Sequence, residues 1–183
     1  MNKRQFIITA LAAITAAICI SCSKKNEKPR RIVVDPPEEE LPVGTQQQEN
    51  QLLSKNIQWQ GSSYVVNIER KADKSLPVVD DGTGIGYYDN RIMVTVTRQD
   101  GSKFFERSYT KSDFASFVES ATLKYRSLYA ISLHEVTEYA ISLVACVGSP
   151  EISSDDFQLI EIRIKPDAST TVRPTTILDI EKE

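Results

Sequence analysis

The segment Asp80-Asp81-Gly82-Thr83-Gly84-Ile85-Gly86-Tyr87-Tyr88-Asp89-Asn90 gathers carboxylates, closely spaced glycines and two tyrosines. Asp80, Asp81, Asp89 and Asn90 are the side-chain types that hold a calcium ion through oxygen. Their spacing departs from the EF-hand order. The competing reading is a hairpin connection whose glycines supply unusual φ and whose acids are solvated. A phosphate-cradling loop must open a helix so that free N–H groups face the ligand, and here a strand follows. Nucleotide binding is therefore not expected at these glycines. Tyr87 and Tyr88 join the four oxygen donors as candidate binding residues. Arg107 joins them because it falls opposite an apolar strand residue, where it either snorkels at a sheet edge or marks a polar pocket.

Other reactive residues are few. His134 is the sole histidine, so a multi-histidine zinc site cannot be built and any Ser-His-Asp triad would depend on it alone. It falls at an expected strand end beside Glu135 and Glu138. Paired carboxylates for glycoside hydrolysis are assembled in space, and the sequence singles out no pair. Cys146 lies within Leu143-Val144-Ala145-Cys146-Val147 and reads as a buried small hydrophobe, without the positive surroundings that make a thiol reactive. No catalytic residue, metal centre or cofactor is called for.

Cys22 is the residue with the clearest assigned chemistry. Lys3 and Arg4 form a basic start, and Phe6 to Ile20 is uncharged and apolar apart from Thr9 and Thr15. That stretch has the length of a signal-peptide core and is shorter than the roughly 20 residues of a membrane-spanning helix. Cys19-Ile20-Ser21-Cys22 resembles the bacterial lipobox, in which a small residue precedes the cysteine that is acylated and becomes the new N-terminus. Cys19 stands where leucine is usual. Residues 1–21 are expected to be a lipoprotein signal peptide and Cys22 the lipidation site, anchoring the chain to a membrane through its N-terminus.

From 22 to 52 a flexible tether is expected. Lys24, Lys25, Lys28, Arg30 and Arg31 precede Glu38-Glu39-Glu40 and Gln46-Gln47-Gln48, with Pro29, Pro36, Pro37 and Pro42 scattered among them. Such a stretch buries too little apolar surface to offset the entropy of ordering it. Loss of Lys3 and Arg4 with the leader changes 22 basic against 25 acidic side chains to 20 against 25, a net charge of −5. A mildly acidic body repels phosphate backbones, which argues against nucleic acid as a partner.

The remaining chain must position these residues. Residues 53–175 read as a single β-rich domain, with a fraying tail at 176–183. Tyr64, Val66 and Ile68 alternate with polar neighbours, as do Ile92, Val94 and Val96. Asp100-Gly101 suggests a type I′ turn returning as Phe104 to Tyr109, a register that sets Ile92 opposite Tyr109, Val94 opposite Arg107 and Val96 opposite Phe105. Thr110 to Asp113 offers helix-start groups, and Phe114, Phe117, Val118 and Ala121 recur as one helical stripe. The identical pentads Tyr129-Ala130-Ile131-Ser132-Leu133 and Tyr139-Ala140-Ile141-Ser142-Leu143 predict two neighbouring strands. Ile160, Ile162 and Ile164 mark another, and Thr170 to Arg173 a last weak one. The expected class is α+β, mainly antiparallel β: a curved sheet or barrel-like meander of about six to eight strands with one short helix.

Tyr87-Tyr88-Asp89-Asn90, the Asp100-Gly101 hairpin and Phe105 through Thr110-Lys111-Ser112-Asp113-Phe114 resemble a family of Bacteroidota lipoproteins grouped as domain of unknown function 4738. The resemblance covers roughly Tyr64 to Arg173. It implies an envelope location and no established activity, so it transfers no functional residue. Surface-exported lipoproteins of that phylum resemble one another in carrying acids just after the cysteine. Ser23-Lys24-Lys25 here favours the periplasmic face of the outer membrane. The expected function is a non-catalytic binding or accessory module for an envelope protein or glycan. The alternatives are an envelope hydrolase using paired carboxylates and a calcium-stabilised adhesive domain.

Overall fold

A computed structural model describes residues 44–120, 123–151 and 157–176. The leader, Cys22, most of the expected tether, Ala121 and the tail beyond Thr176 lie outside the described residues.

In chain order the strands are β1 (Gln51–Trp59), β2 (Ser62–Ala72), β3 (Val79–Asp80), β4 (Gly86–Tyr87), β5 (Asn90–Arg98), β6 (Lys103–Tyr109), β7 (Ser127–Val136), β8 (Ile141–Gly148), β9 (Phe157–Ile164) and β10 (Thr170–Thr175). Two four-stranded sheets form, ordered β1-β2-β5-β6 and β10-β9-β8-β7, and β3 pairs with β4 alone. All their ladders are antiparallel. Each large sheet keeps two edge strands, so the arrangement is open and not a closed barrel. The inward rows of both sheets meet in one core. Ile92, Val94 and Val96 of β5 and Ile160, Ile162 and Ile164 of β9 are fully buried there. Strict alternation puts these β-branched side chains on a single face of each sheet, where burial contributes roughly 1.5–3 kcal/mol per side chain.

The register between β5 and β6 is the expected one, with Ile92 opposite Tyr109, Val94 opposite Arg107 and Val96 opposite Phe105. The turn differs. The Arg98 carbonyl accepts from the Gly101 N–H at 3.0 Å, and the Arg98 N–H donates to the Ser102 carbonyl at 2.8 Å. Gly101 has φ +84°, whereas Asp100 is not left-handed. This is a three-residue loop with a glycine bulge, not a type I′ turn. The two-residue turn with both φ positive falls instead at Gln60 and Gly61, between Trp59 and Ser62.

The expected helical stripe is also shortened. Lys111–Phe117 and Leu123–Tyr125 are 3₁₀ helices. The Asp113 carboxylate accepts from the Thr110 N–H at 2.9 Å and its hydroxyl at 3.1 Å, tightening the first turn. Phe114 is fully buried and stacks on Tyr109 with ring centroids 5.7 Å apart. Val118 is buried as well, but from extended backbone. The stripe therefore fills the core without sustaining an α-helix. At the N-terminal side β1 starts at Gln51, inside the stretch read as tether, and Gln46 forms a parallel bridge to Tyr87.

Candidate functional site

The candidate residues between Asp80 and Asn90 separate into three groups. Asp80 ends β3 and Asp81 opens the β3–β4 connection, and both carboxylates turn back on that connection. Asp80 Oδ1 accepts from the Gly82 N–H at 2.7 Å. Asp81 Oδ1 accepts from the N–H groups of Thr83 at 2.7 Å and Ile85 at 3.2 Å, and from the Thr83 hydroxyl. Burial alone would raise the Asp81 carboxyl, but these donors hold it below its ordinary value. Gly82 and Gly84, at φ +90° and +96°, permit the loop. Tyr87 donates its hydroxyl to Glu151 at 3.1 Å, and Tyr88 lies under the Lys74 ammonium at 5.3 Å.

Asp89 and Asn90 belong to a different environment. Both are buried. Asp89 Oδ1 accepts from the N–H groups of Asn90 at 2.8 Å and Leu128 at 3.1 Å, while Oδ2 meets Lys111 Nζ at 3.2 Å. Lys111 also donates to the Arg126 carbonyl at 2.6 Å. The Asn90 amide donates to the Leu128 carbonyl at 3.1 Å and to the Gln48 side chain. These contacts join the start of β5, in one sheet, to the start of β7, in the other. They also connect the two sequence motifs that contain Asp89 and Lys111. The four oxygen donors considered for calcium do not converge, and among the described residues no group of three or more His, Cys, Asp or Glu is placed to hold a metal ion.

Arg107 stands on the edge strand β6. Its guanidinium lies 4.9 Å over the Tyr109 ring, 3.4 Å from Asp113 and 3.3 Å from the Thr170 hydroxyl. It snorkels along the edge and ties β6 to the start of β10. His134 lies within β7 and is half-buried. Cys146 is half-buried and faces outward from β8 opposite Ala130 and Leu159, so it is not the core residue expected. Its position follows from strand alternation, because Ala145 and Val147 take the inward face. Burial pushes its thiol up to about 11, which keeps it protonated and poorly nucleophilic at neutral pH.

Sequence reasoning missed Glu161. It reads as the polar side of an amphipathic strand, yet it is only 3% exposed. Its carboxylate accepts from the Ser142 hydroxyl at 2.7 Å, from Arg163 Nε at 2.7 Å, and from Arg173 Nε. Burial raises this carboxyl, but Ser142 and the two guanidiniums outweigh it and hold the group at about 2. The signal lies in pairing: Arg173 is opposite Glu161 across β10–β9, and Val144 is opposite it across β8–β9.

Two concave surfaces add to the geometry. A groove of about 580 Å³ lies over the outer face of the first sheet, lined by Asn56, Gln58, Ser63, Val65, Thr97 and Gln99 among others. A smaller crevice of about 240 Å³ opens where Leu53 and Lys55 of β1 approach Ser132 and Leu133 of β7.

The family described as "Domain of unknown function (DUF4738)" matches residues 34–172. No curated protein matches the chain.

Proposed function

The chain belongs to the DUF4738 family, and from that premise we propose that it is a lipid-anchored protein of the bacterial envelope whose β-rich domain is a non-catalytic binding module. The anchor rests on the order Lys3-Arg4, uncharged Phe6 to Ile20, then Ser21-Cys22. Diacylation of Cys22 and acylation of the new N-terminus would bury several chains, each methylene contributing about 0.8 kcal/mol, which holds a protein without a spanning helix. The expected placement is the outer membrane, facing the periplasm, with an envelope protein or glycan as partner.

One observation carries the binding-module reading. Asp89 and Glu161, the buried acids among the described residues, are each spent on cations and N–H or O–H donors that hold strands together. A general acid or base must instead face a substrate with its proton free to move. Apart from Arg98, the polar side chains lining the larger concavity are uncharged amides and hydroxyls, suited to holding a ligand.

The test is fractionation and intact-mass analysis of the native protein against Cys22→Ser. Wild type should stay with membranes and carry acyl mass, and the variant should be released. Equal release of both, with no acyl adduct on wild type, contradicts the anchor. Crosslinked co-purification from solubilised membranes should recover an envelope partner, and repeated recovery of none contradicts the binding module.

A further inference from the structure

On the outer face of the first sheet the lysines and glutamates pair among themselves, Lys71 with Glu69 and Lys103 with Glu106, each at 2.6 Å, and the end nearest the β1–β2 turn is left to amides and hydroxyls. Strand register lays Ser54, Asn67 and Thr95 side by side in one row, and Asn56, Val65 and Thr97 in the next. Gln58 lies across from Ser63 and donates its amide to that hydroxyl at 2.7 Å. The 580 Å³ groove covers this end of the face. Arg98 is the only Lys, Arg, Asp or Glu in its lining, and its guanidinium is already committed. It donates to the Lys103 carbonyl at 3.0 Å and the Ser102 hydroxyl at 3.3 Å, and lies 5.1 Å over the Phe104 ring.

Each amide or hydroxyl side chain both donates and accepts hydrogen bonds. A cluster of them satisfies a ligand that presents many neutral hydroxyls. It cannot offset the cost of drawing a full charge out of water. The volume falls within the range of small-ligand sites, roughly 300–1,000 Å³. An extended peptide would add to a strand edge, whereas this groove lies on a sheet face.

We propose that this groove binds an uncharged oligosaccharide. Asn56, Gln58, Gln99, Ser63 and Thr97 supply the hydrogen bonds, and Val65 is the apolar floor beneath a sugar ring. The proposal rests on the binding-module reading but not on the lipid anchor.

The test uses the full-length chain, solubilised, in calorimetric titration. Trp59 and Tyr64 belong to the inward face, opposite to Gln58 and Ser63, so binding is read as heat and not as indole emission. The titrants are chitotetraose, maltotetraose, an anionic oligogalacturonate and a neutral extended peptide. The expected result is saturable binding of a neutral sugar, unchanged between about 0.05 and about 0.5 M salt, where screening would weaken an ionic contact. Asn56→Ala/Thr97→Ala should weaken it at least tenfold with the unfolding midpoint unmoved. Gln58→Ala alone should weaken it less, a second reading if the double variant folds poorly. No response to either neutral sugar, a response confined to oligogalacturonate or peptide, or binding indifferent to all these variants overturns the proposal. A flat sugar titration alongside successful partner co-purification removes this site and leaves the binding module standing.

Discussion

The two sheets use their polar side chains in opposite ways. On the outer face of the second sheet, Ser142 and Glu161 are buried and bonded, and the carboxylate fastens Arg163 and Arg173 to its own strand and the next. On the outer face of the first, Ser54, Asn67 and Thr95 run toward Glu106, and Asn56 and Thr97 toward Lys103, but those two charges pair with each other at 2.6 Å. The polar groups of the second sheet, with the Asp89–Lys111 pair that joins it to the first, are consumed by folding. Those of the first sheet's outer face are left over. A fold retains such surplus at little cost, and it is where a ligand can be held.

The largest expected effect breaks the joint between the sheets. Asp89→Ala leaves the half-buried Lys111 without its acid and two buried N–H donors without an acceptor, and should cost about 3 kcal/mol in urea unfolding. A loss below about 1 kcal/mol would show that this pair does not hold the sheets. Glu161→Gln comes next, at about 1–3 kcal/mol, because one hydrogen-bond geometry survives and the guanidiniums are partly exposed and screened.

The same carboxylate sets a pH dependence. Its folded value near 2 lies below its ordinary 4.5, so its contribution is fully present above about 4.5. It is lost as the pH falls from there toward about 2. Unfolding midpoints should decline across that window in wild type and decline less in Glu161→Gln.

A smaller test compares equivalent hairpins, one in each sheet. Lys165-Pro166-Asp167-Ala168-Ser169 repeats the bonding of Arg98-Gln99-Asp100-Gly101-Ser102, with Ala168 at φ +63° where Gly101 has +84°. A left-handed alanine costs roughly 1 kcal/mol and its half-buried methyl returns about 0.4, so Ala168→Gly should stabilise by about 0.5 kcal/mol. Thermal unfolding checks it, and a drop in midpoint would reject the strain. The smallest expected change is Asn67→Ala/Thr95→Ala on the open face, within about 0.5 kcal/mol of wild type by the same assay.

Much of the fold was legible because burial imposes a period of two. Ile92-Val94-Val96 and Ile160-Ile162-Ile164 declared their inward faces, and the β5–β6 register followed from matching Tyr109 and Phe105 to them. Identical letters were not enough elsewhere. The pentads Tyr129–Leu133 and Tyr139–Leu143 differ in fate: Ser132 is exposed on the edge strand β7, while Ser142 is buried on the interior strand β8 against Glu161. Tyr139 is 74% exposed in the connection before β8. Depth depends on a strand's neighbours, which a local pattern does not contain. β1 was missed in part because Gln51 to Asn56 are exposed, although Gln60-Gly61 between Trp59 and Tyr64 carries a hairpin signal. The candidate site was less legible still. Asp89 and Asn90 stand beside Asp80 and Asp81 in sequence but serve the core, and the outer-face rows exist only once three strands are in register.

The most direct measurement sets two variants against each other, Asn56→Ala/Thr97→Ala on the open face and Glu161→Gln on the closed one. Urea midpoint and neutral-oligosaccharide affinity are read on both. The account predicts that the first keeps its midpoint and loses binding at least tenfold, while the second loses midpoint and binds as wild type when folded. If the first unfolds as readily as the second, or if sugar affinity falls alike in both, the division between consumed and surplus polar groups is wrong.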